Sequence, residues 1–146
     1  MIFKSILAPV DGSAPSNAAA ALAISLAKQA GAKLVFCHVE RVPRASHDAG
    51  GFAREEIREE EGRIAHEVLD AANKLAADAG IQAQTLRLAE PVAEAIIEAA
   101  KDNAADIIIM GTHGRAGIVR AVLGSKTADV IARSPIPVLV APHVAA

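Results

Sequence analysis

Short apolar runs alternate along the chain with longer segments in which apolar residues return every three or four positions. The run "IFKSILAPV", residues 2–10, is rich in strand formers and halts at Pro9. "GSAPSNAAAALAISLAKQAG" follows with a Ser/Pro start, an alanine-rich body and a stop at Gly31, which predicts a helix after the first strand. "AKLVFCHVE" predicts a second strand. The segment "REEIREEEGRIAHEVLDAANKLAADAG" places Ile57, Ile64, Val68, Leu75 and Ala79 on one helical face and ends at Gly80, and its acidic beginning suits a helix N-terminus. "IQAQTLRLA" alternates as a strand. "PVAEAIIEAAKDNA" predicts a helix with proline at its first position, and "DIIIM" is apolar enough for a strand covered on both faces. A helix around "SKTADVIARS" and a strand "PVLVA" complete the pattern. Five strands alternating with helices predict an α/β fold: one parallel sheet with helices on both faces. The abundant alanine follows the helical faces, so it is structural and not low complexity.

At 146 residues the chain suits a single domain, 1–146, that can bury a core without staples. Fifteen Lys and Arg against seventeen Asp and Glu give a net charge of −2, so no basic field favours nucleic acid or an anionic membrane. The single cysteine, Cys37, sits within a strand-like apolar run and reads as a buried residue in a reducing compartment. No apolar run reaches the roughly 20 residues of a spanning helix, and the first residues lack the regions of a signal peptide, so the expected location is the cytoplasm. The one long connection, residues 41–52, reads equally as a mobile flap or as a plain solvated link.

Ligands of open α/β sheets settle beyond the C-terminal strand ends, where the chain order reverses. Asp11 emerges there after the first strand, and a glycine-punctuated loop with Gly111, Gly114, Gly117 and Gly124 emerges after the fourth. If those strands are neighbours, Asp11 and Gly111 flank one crevice. A carboxylate can accept hydrogen bonds from ribose hydroxyls, and the amides of a glycine loop and a helix N-terminus can bind phosphate, which together describe a nucleotide. Two familiar motifs are excluded. Six residues separate Gly117 from Gly124 and Ser125 precedes Lys126, so this is not a P-loop. Neither "DGSAPS" nor "GTHGRAG" supplies G-x-G-x-x-G, which disfavours a nicotinamide cofactor.

What is present is Gly111-x-x-Gly114, nine residues, then Gly124-Ser125, together with the opening "ILAPVDGS", a second strand ending "CHV" and a closing "SPIPVLVAP". This combination resembles the universal stress protein family over essentially the whole chain. The resemblance implies a Rossmann-like fold with strand order 3-2-1-4-5 and ATP as ligand. By that resemblance Asp11 would bind ribose, while the backbone near Pro9, Val10 and Val39 would frame and hydrogen-bond adenine. Met110 and Gly111 would lie along ribose and the first phosphate. His113, Gly114, Arg115, Gly124, Ser125 and the amide of Lys126 would surround the polyphosphate. Lys126 departs from the small or apolar residue common there in the family. The resemblance also supports a homodimer through the C-terminal edge strand.

The other histidines are too scattered for a metal site, so any metal would be Mg²⁺ or Mn²⁺ arriving with the phosphates. His38 reads as a satisfied packing residue, and the acidic group Glu55, Glu56, Glu59, Glu60 and Glu61 as a solvated helix start. No carboxylate is placed beside a γ-phosphate as a base, so a nucleotide-binding signalling module is expected in preference to a dedicated enzyme. The competing expectations are a slow ATPase or a self-phosphorylating protein using Ser125, Thr112 or Thr127, and a nucleotide-free interaction protein.

Overall fold

The computed structural model describes residues 3–42, 51–113 and 123–143. Among the described residues nine elements follow one another: β1 (Ser5–Pro9), α1 (Ala14–Ala30), β2 (Lys33–Glu40), α2 (Gly51–Asp78), β3 (Ala83–Ala89), α3 (Val92–Asp102), β4 (Ile107–Gly111), α4 (Ser125–Arg133) and β5 (Val138–Ala141). All four strand pairings are parallel and the sheet order is β3-β2-β1-β4-β5, the order that the resemblance implied.

Helices cover both faces, which explains why the central strands are apolar without interruption. Ile6, Ala8, Val10, Leu34, Phe36, Ile107 and Ile109 face α1 and α2. Leu7, Val35, Cys37, Ile108 and Met110 face α3 and α4. Cys37 is fully buried, and loss of solvent pushes its thiol up to about 12.

Local chemistry sets most boundaries. Ser13 caps α1, its hydroxyl accepting from the Ser16 amide at 3.3 Å, and Pro15 occupies the first turn. Gly31 ends α1 at φ 64°, a left-handed conformation costly for residues with a Cβ. The helix after β3 begins at Val92, with Pro91 one position earlier as its N-cap.

Helix α2 departs from the sequence reading in three ways. It begins at Gly51, so the glutamates lie beyond its first turn and do not serve its N-terminus. Its buried stripe runs through Glu61, Ala65, Leu69, Ala72 and Ala76, while Leu75 is 45% exposed and Ile57, Ile64 and Val68 flank the stripe. Small side chains at the centre let the helix lie close to the sheet, and the larger ones fill the margins. Glu61 is buried and not solvated, because it accepts from the Arg41 amide at 3.1 Å as the chain leaves β2 and pairs with the Arg41 side chain at 3.4 Å. Within the 41–52 connection, residues 43–50 lie outside the described residues, and with them the expectation of a flap. Among the described residues no helix is long and apolar enough to cross a membrane.

Candidate functional site

The site is built where the sheet divides. Strand β1 pairs with β4 only at Ile6–Ile107 and Leu7–Ile108, although β1 continues to Pro9 and β4 to Gly111. Each strand stays paired with its other neighbour, β1 with β2 as far as Pro9–Cys37 and β4 with β5 as far as Gly111–Ala141. The C-terminal ends therefore part between Pro9 and Met110, at the point where the chain order reverses.

The first wall is the turn from β1 into α1. The Val10 amide donates to the Cys37 carbonyl at 2.8 Å, and His38 Nδ1 contacts the Val10 carbonyl at 2.8 Å. The next amide, of Asp11, donates to Ser16 Oγ at 2.9 Å. Asp11 Oδ1 accepts from the Ser13 amide at 2.9 Å, an Asx turn that fixes the carboxylate at the mouth of α1. Ser16 is buried, so the Asp11 amide is held by a side chain packed into the start of α1.

The second wall is the end of β4. A Cβ on Gly111 would stand 2.7 Å from the backbone carbon and oxygen of Pro15 and 3.0 Å from the Ser16 nitrogen. The N-terminus of α1 thus lies directly against Gly111, so the turns that carry Asp11 and Gly111 meet in close contact where the sequence reading expects a crevice. The chain leaves at His113, whose Nδ1 is 3.1 Å from Thr112 Oγ1, and returns at Gly124, whose amide donates to the Thr112 carbonyl at 2.7 Å. Thr127, buried in the first turn of α4, donates its hydroxyl to the Gly111 carbonyl at 2.9 Å. These two bonds dock the start of α4 onto the end of β4.

Helix α4 begins without a side-chain cap, since Gly124 occupies the N-cap position, whereas α1 is capped by Ser13. Its first-turn amides have no partner within the helix, and Ser125 and Lys126 are exposed beside them. Such an end attracts an anion through its amides and its dipole. Met110 is buried on the α3/α4 face, and Val39 is half-buried on the same face at the end of β2. A groove of about 190 Å³ lined by Val10, Gly12, Asn17, Val68 and Leu75 lies on the opposite face, between α1 and α2. Val10 and Gly12, the two neighbours of Asp11, bring one end of it against the turn from β1 into α1.

The structure gathers Pro9, Val10, Asp11, Met110, Gly111, His113, Gly124, Ser125 and Lys126 at this edge, with Val39 on the adjoining strand. Gly114 and Arg115 lie outside the described residues. Sequence reasoning passed over Ser16, and it cast Thr127 as a phosphoryl acceptor, whereas its hydroxyl is buried and committed to Gly111. A hydroxyl five residues after Asp11 and another three after Gly124 were the available signals. Among the described residues no group of three or more His, Cys, Asp or Glu is arranged to hold a metal ion.

A profile of the universal stress protein family matches residues 2–142. The chain belongs to that family. It is 37% identical over 142 residues to a universal stress protein of Methanocaldococcus jannaschii, an alignment covering 95% of this chain and 82% of the relative. The universal stress protein UspA of Lactobacillus plantarum has the same fold, with a TM-score of 0.87 at 24% identity over 97% of this chain and 99% of that one. Two further structures of the fold carry adenine nucleotides. One universal stress protein is in complex with cAMP (TM-score 0.74, 24% identity, 99% of this chain and 100% of that one). Another, from Archaeoglobus fulgidus, is in complex with dAMP (TM-score 0.71, 21% identity, 97% and 100%).

Proposed function

We propose that this family member binds an adenine nucleotide, ATP with Mg²⁺ or Mn²⁺ carried on its phosphates, at the divided β1/β4 edge, and works as a nucleotide-dependent module in stress signalling. The observation that carries the reading is the uncapped start of α4 docked on Gly111, opposite an Asp11 carboxylate fixed at the mouth of α1. Phosphate suits the first, and ribose hydroxyls suit the second. The cAMP and dAMP bound by the two family structures support the same ligand class.

In this reading Asp11 accepts from ribose, and Pro9 and Val39 frame adenine. The amide and carbonyl of Val10 are both engaged within the fold, so its part is to hold the turn. Met110 and Gly111 lie along ribose and the first phosphate. His113, Gly114, Arg115, Gly124, Ser125 and the Lys126 amide would receive the polyphosphate, whose oxygens would supply the metal ligands. Hydrolysis is expected to be slow at most, well below a typical enzyme turnover of about 10 s⁻¹, because the sequence places no carboxylate beside a γ-phosphate as a base.

The test is calorimetry and thermal shift with ATP and Mg²⁺. At about 100 times the dissociation constant, binding adds roughly 2.7 kcal/mol of stability. No heat and no shift at millimolar nucleotide defeats the proposal.

We also propose a homodimer through β5. That strand is at the sheet edge, and its Val138, Leu139 and Val140 are only half-buried. Antiparallel pairing with a second copy would satisfy its open edge under two-fold symmetry. Sedimentation equilibrium should report twice the chain mass at micromolar concentration, and Leu139→Pro should shift it towards monomer. A monomeric wild type rules the dimer out.

A further inference from the structure

His38 lies on β2, is 2% exposed, and faces the α1/α2 side of the sheet beside Phe36 and Val10. Its Nδ1 is 2.8 Å from the Val10 carbonyl, an acceptor only, so Nδ1 must carry a proton and donate. The other ring nitrogen, Nε2, is buried and among the described residues meets no hydrogen-bond partner. A phenylalanine or leucine would fill the same space without an unsatisfied nitrogen, so packing alone does not account for histidine here. What histidine adds is the bond to Val10, whose carbonyl belongs to the peptide group that continues into Asp11.

The same turn is gripped on successive peptide groups. Cys37 takes the Val10 amide, His38 holds the Val10 carbonyl, and Ser16 takes the Asp11 amide. The peptide groups on either side of Val10 are thus held, the Pro9–Val10 group by Cys37 and the Val10–Asp11 group at its two ends by His38 and Ser16. Loss of the His38 bond would leave the Val10–Asp11 group held at its amide end alone, able to tilt about the Ser16 bond, and a carboxylate displaced by a fraction of an ångström no longer matches a pair of ribose hydroxyls.

We propose that His38 is a positioning residue for ribose recognition, acting through the Val10 carbonyl on Asp11. This rests on the adenine-nucleotide reading above. The geometry also predicts which replacement preserves it. An asparagine amide nitrogen falls close to where Nδ1 stands, whereas that of glutamine falls nearer to Nε2. His38→Asn therefore keeps the donor and discards Nε2, while His38→Gln and His38→Phe lose the bond.

The experiment compares wild type, His38→Asn, His38→Gln and His38→Phe by calorimetry with Mg²⁺-ATP and with its 2′,3′-dideoxy analogue. In parallel, ¹⁵N NMR of the nucleotide-free proteins follows the His38 ring and the Asp11 and Gly12 amides. Wild type should show the proton on Nδ1. His38→Asn should leave ATP affinity and the Asp11 amide near wild type. The Gln and Phe variants should move that amide and weaken ATP roughly five- to tenfold, the scale of one hydrogen bond, with a smaller loss for the dideoxy analogue. A ring protonated on Nε2 alone, an Asn variant as weak as the Phe variant, or equal losses for both nucleotides overturns the proposal. If the Phe variant does not fold, the Asn and Gln pair still decides. A wild type that binds no adenine nucleotide sinks the underlying reading, and the nucleotide-free spectra separate that result from failure of the clamp.

Discussion

Replacing Gly111 by alanine tests the closest contact at the candidate site. The added Cβ would stand 2.7 Å from the Pro15 carbon and oxygen, where ordinary contact begins at 3.4 Å, and 3.0 Å from the Ser16 nitrogen. All three atoms are backbone, so no flexible side chain can swing aside. Either α1 retreats by several tenths of an ångström or the end of β4 bends away from it. Both routes strain the bond from Asp11 to Ser16 Oγ and the bond from Thr127 to the Gly111 carbonyl. Overpacking of this kind costs about 1–3 kcal/mol. For a domain of this size each kcal/mol lowers the melting temperature by about 2–4 °C, so Gly111→Ala should melt roughly 2–12 °C below wild type. Differential scanning calorimetry without nucleotide measures it. Gly31→Ala is the control for backbone conformation alone, since Gly31 sits at φ 64° with nothing within 4 Å of its Cβ position. It should cost roughly 1 kcal/mol through the left-handed backbone. Gly124→Ala, with contacts of 3.2 and 3.3 Å, should lose less stability than Gly111→Ala. A Gly111→Ala protein that melts with the wild type would show that α1 does not bear on the end of β4, and the account of this contact would be wrong.

Three further outcomes are expected. Asp11→Ala should weaken ATP more than the 2′,3′-dideoxy analogue in calorimetric titrations, and equal losses would remove Asp11 from ribose recognition. Asp106 accepts from the Lys4 and Ser5 amides at 2.6 and 3.0 Å, and these bonds hold its carboxyl below the usual range. Its stabilisation is therefore present above an unfolded pKa of about 3.9 and is lost as pH falls through the lower folded value. Asp106→Asn should flatten the stability profile in that acid window, and an unchanged acid slope in urea titrations would refute the assignment. Cys37 is fully buried with its thiol pushed up to about 12, so it should resist a disulfide reagent until the protein opens. Rapid labelling of the native state would contradict its burial.

Most of the fold was legible because each strand and helix announces itself locally. Strands covered on both faces show as unbroken apolar runs, and Gly31 and Gly80 end their helices at φ 64° and 85°. The phase of α2 was not legible, because a periodicity judged by the largest apolar residues gives weight to Ile57 and Leu75 and too little to alanine. The burial of Glu61 escaped for a different reason. Its partner, the Arg41 amide, lies twenty positions earlier in the sequence, at the exit of another element. Ser16 and Thr127 differ from Glu61, for their partners Asp11 and Gly111 lie five and sixteen positions earlier, at or just past the end of the strand that precedes each helix.

The glycine signature itself carries two messages that sequence alone runs together. Gly111 is required by packing, since the start of α1 leaves no room for a side chain whether or not a ligand is present. Gly124 is partly of the same kind, because its Cβ would press on His113 and the Thr112 carbonyl while its amide closes the loop onto Thr112. A chain could therefore need these glycines to join β4 to its neighbouring helices and bind nothing. What Gly124 also leaves is a helix start with no side-chain cap, whose first-turn amides can meet an anion. A phosphate group is favoured there because that uncapped start stands where β1 and β4 part.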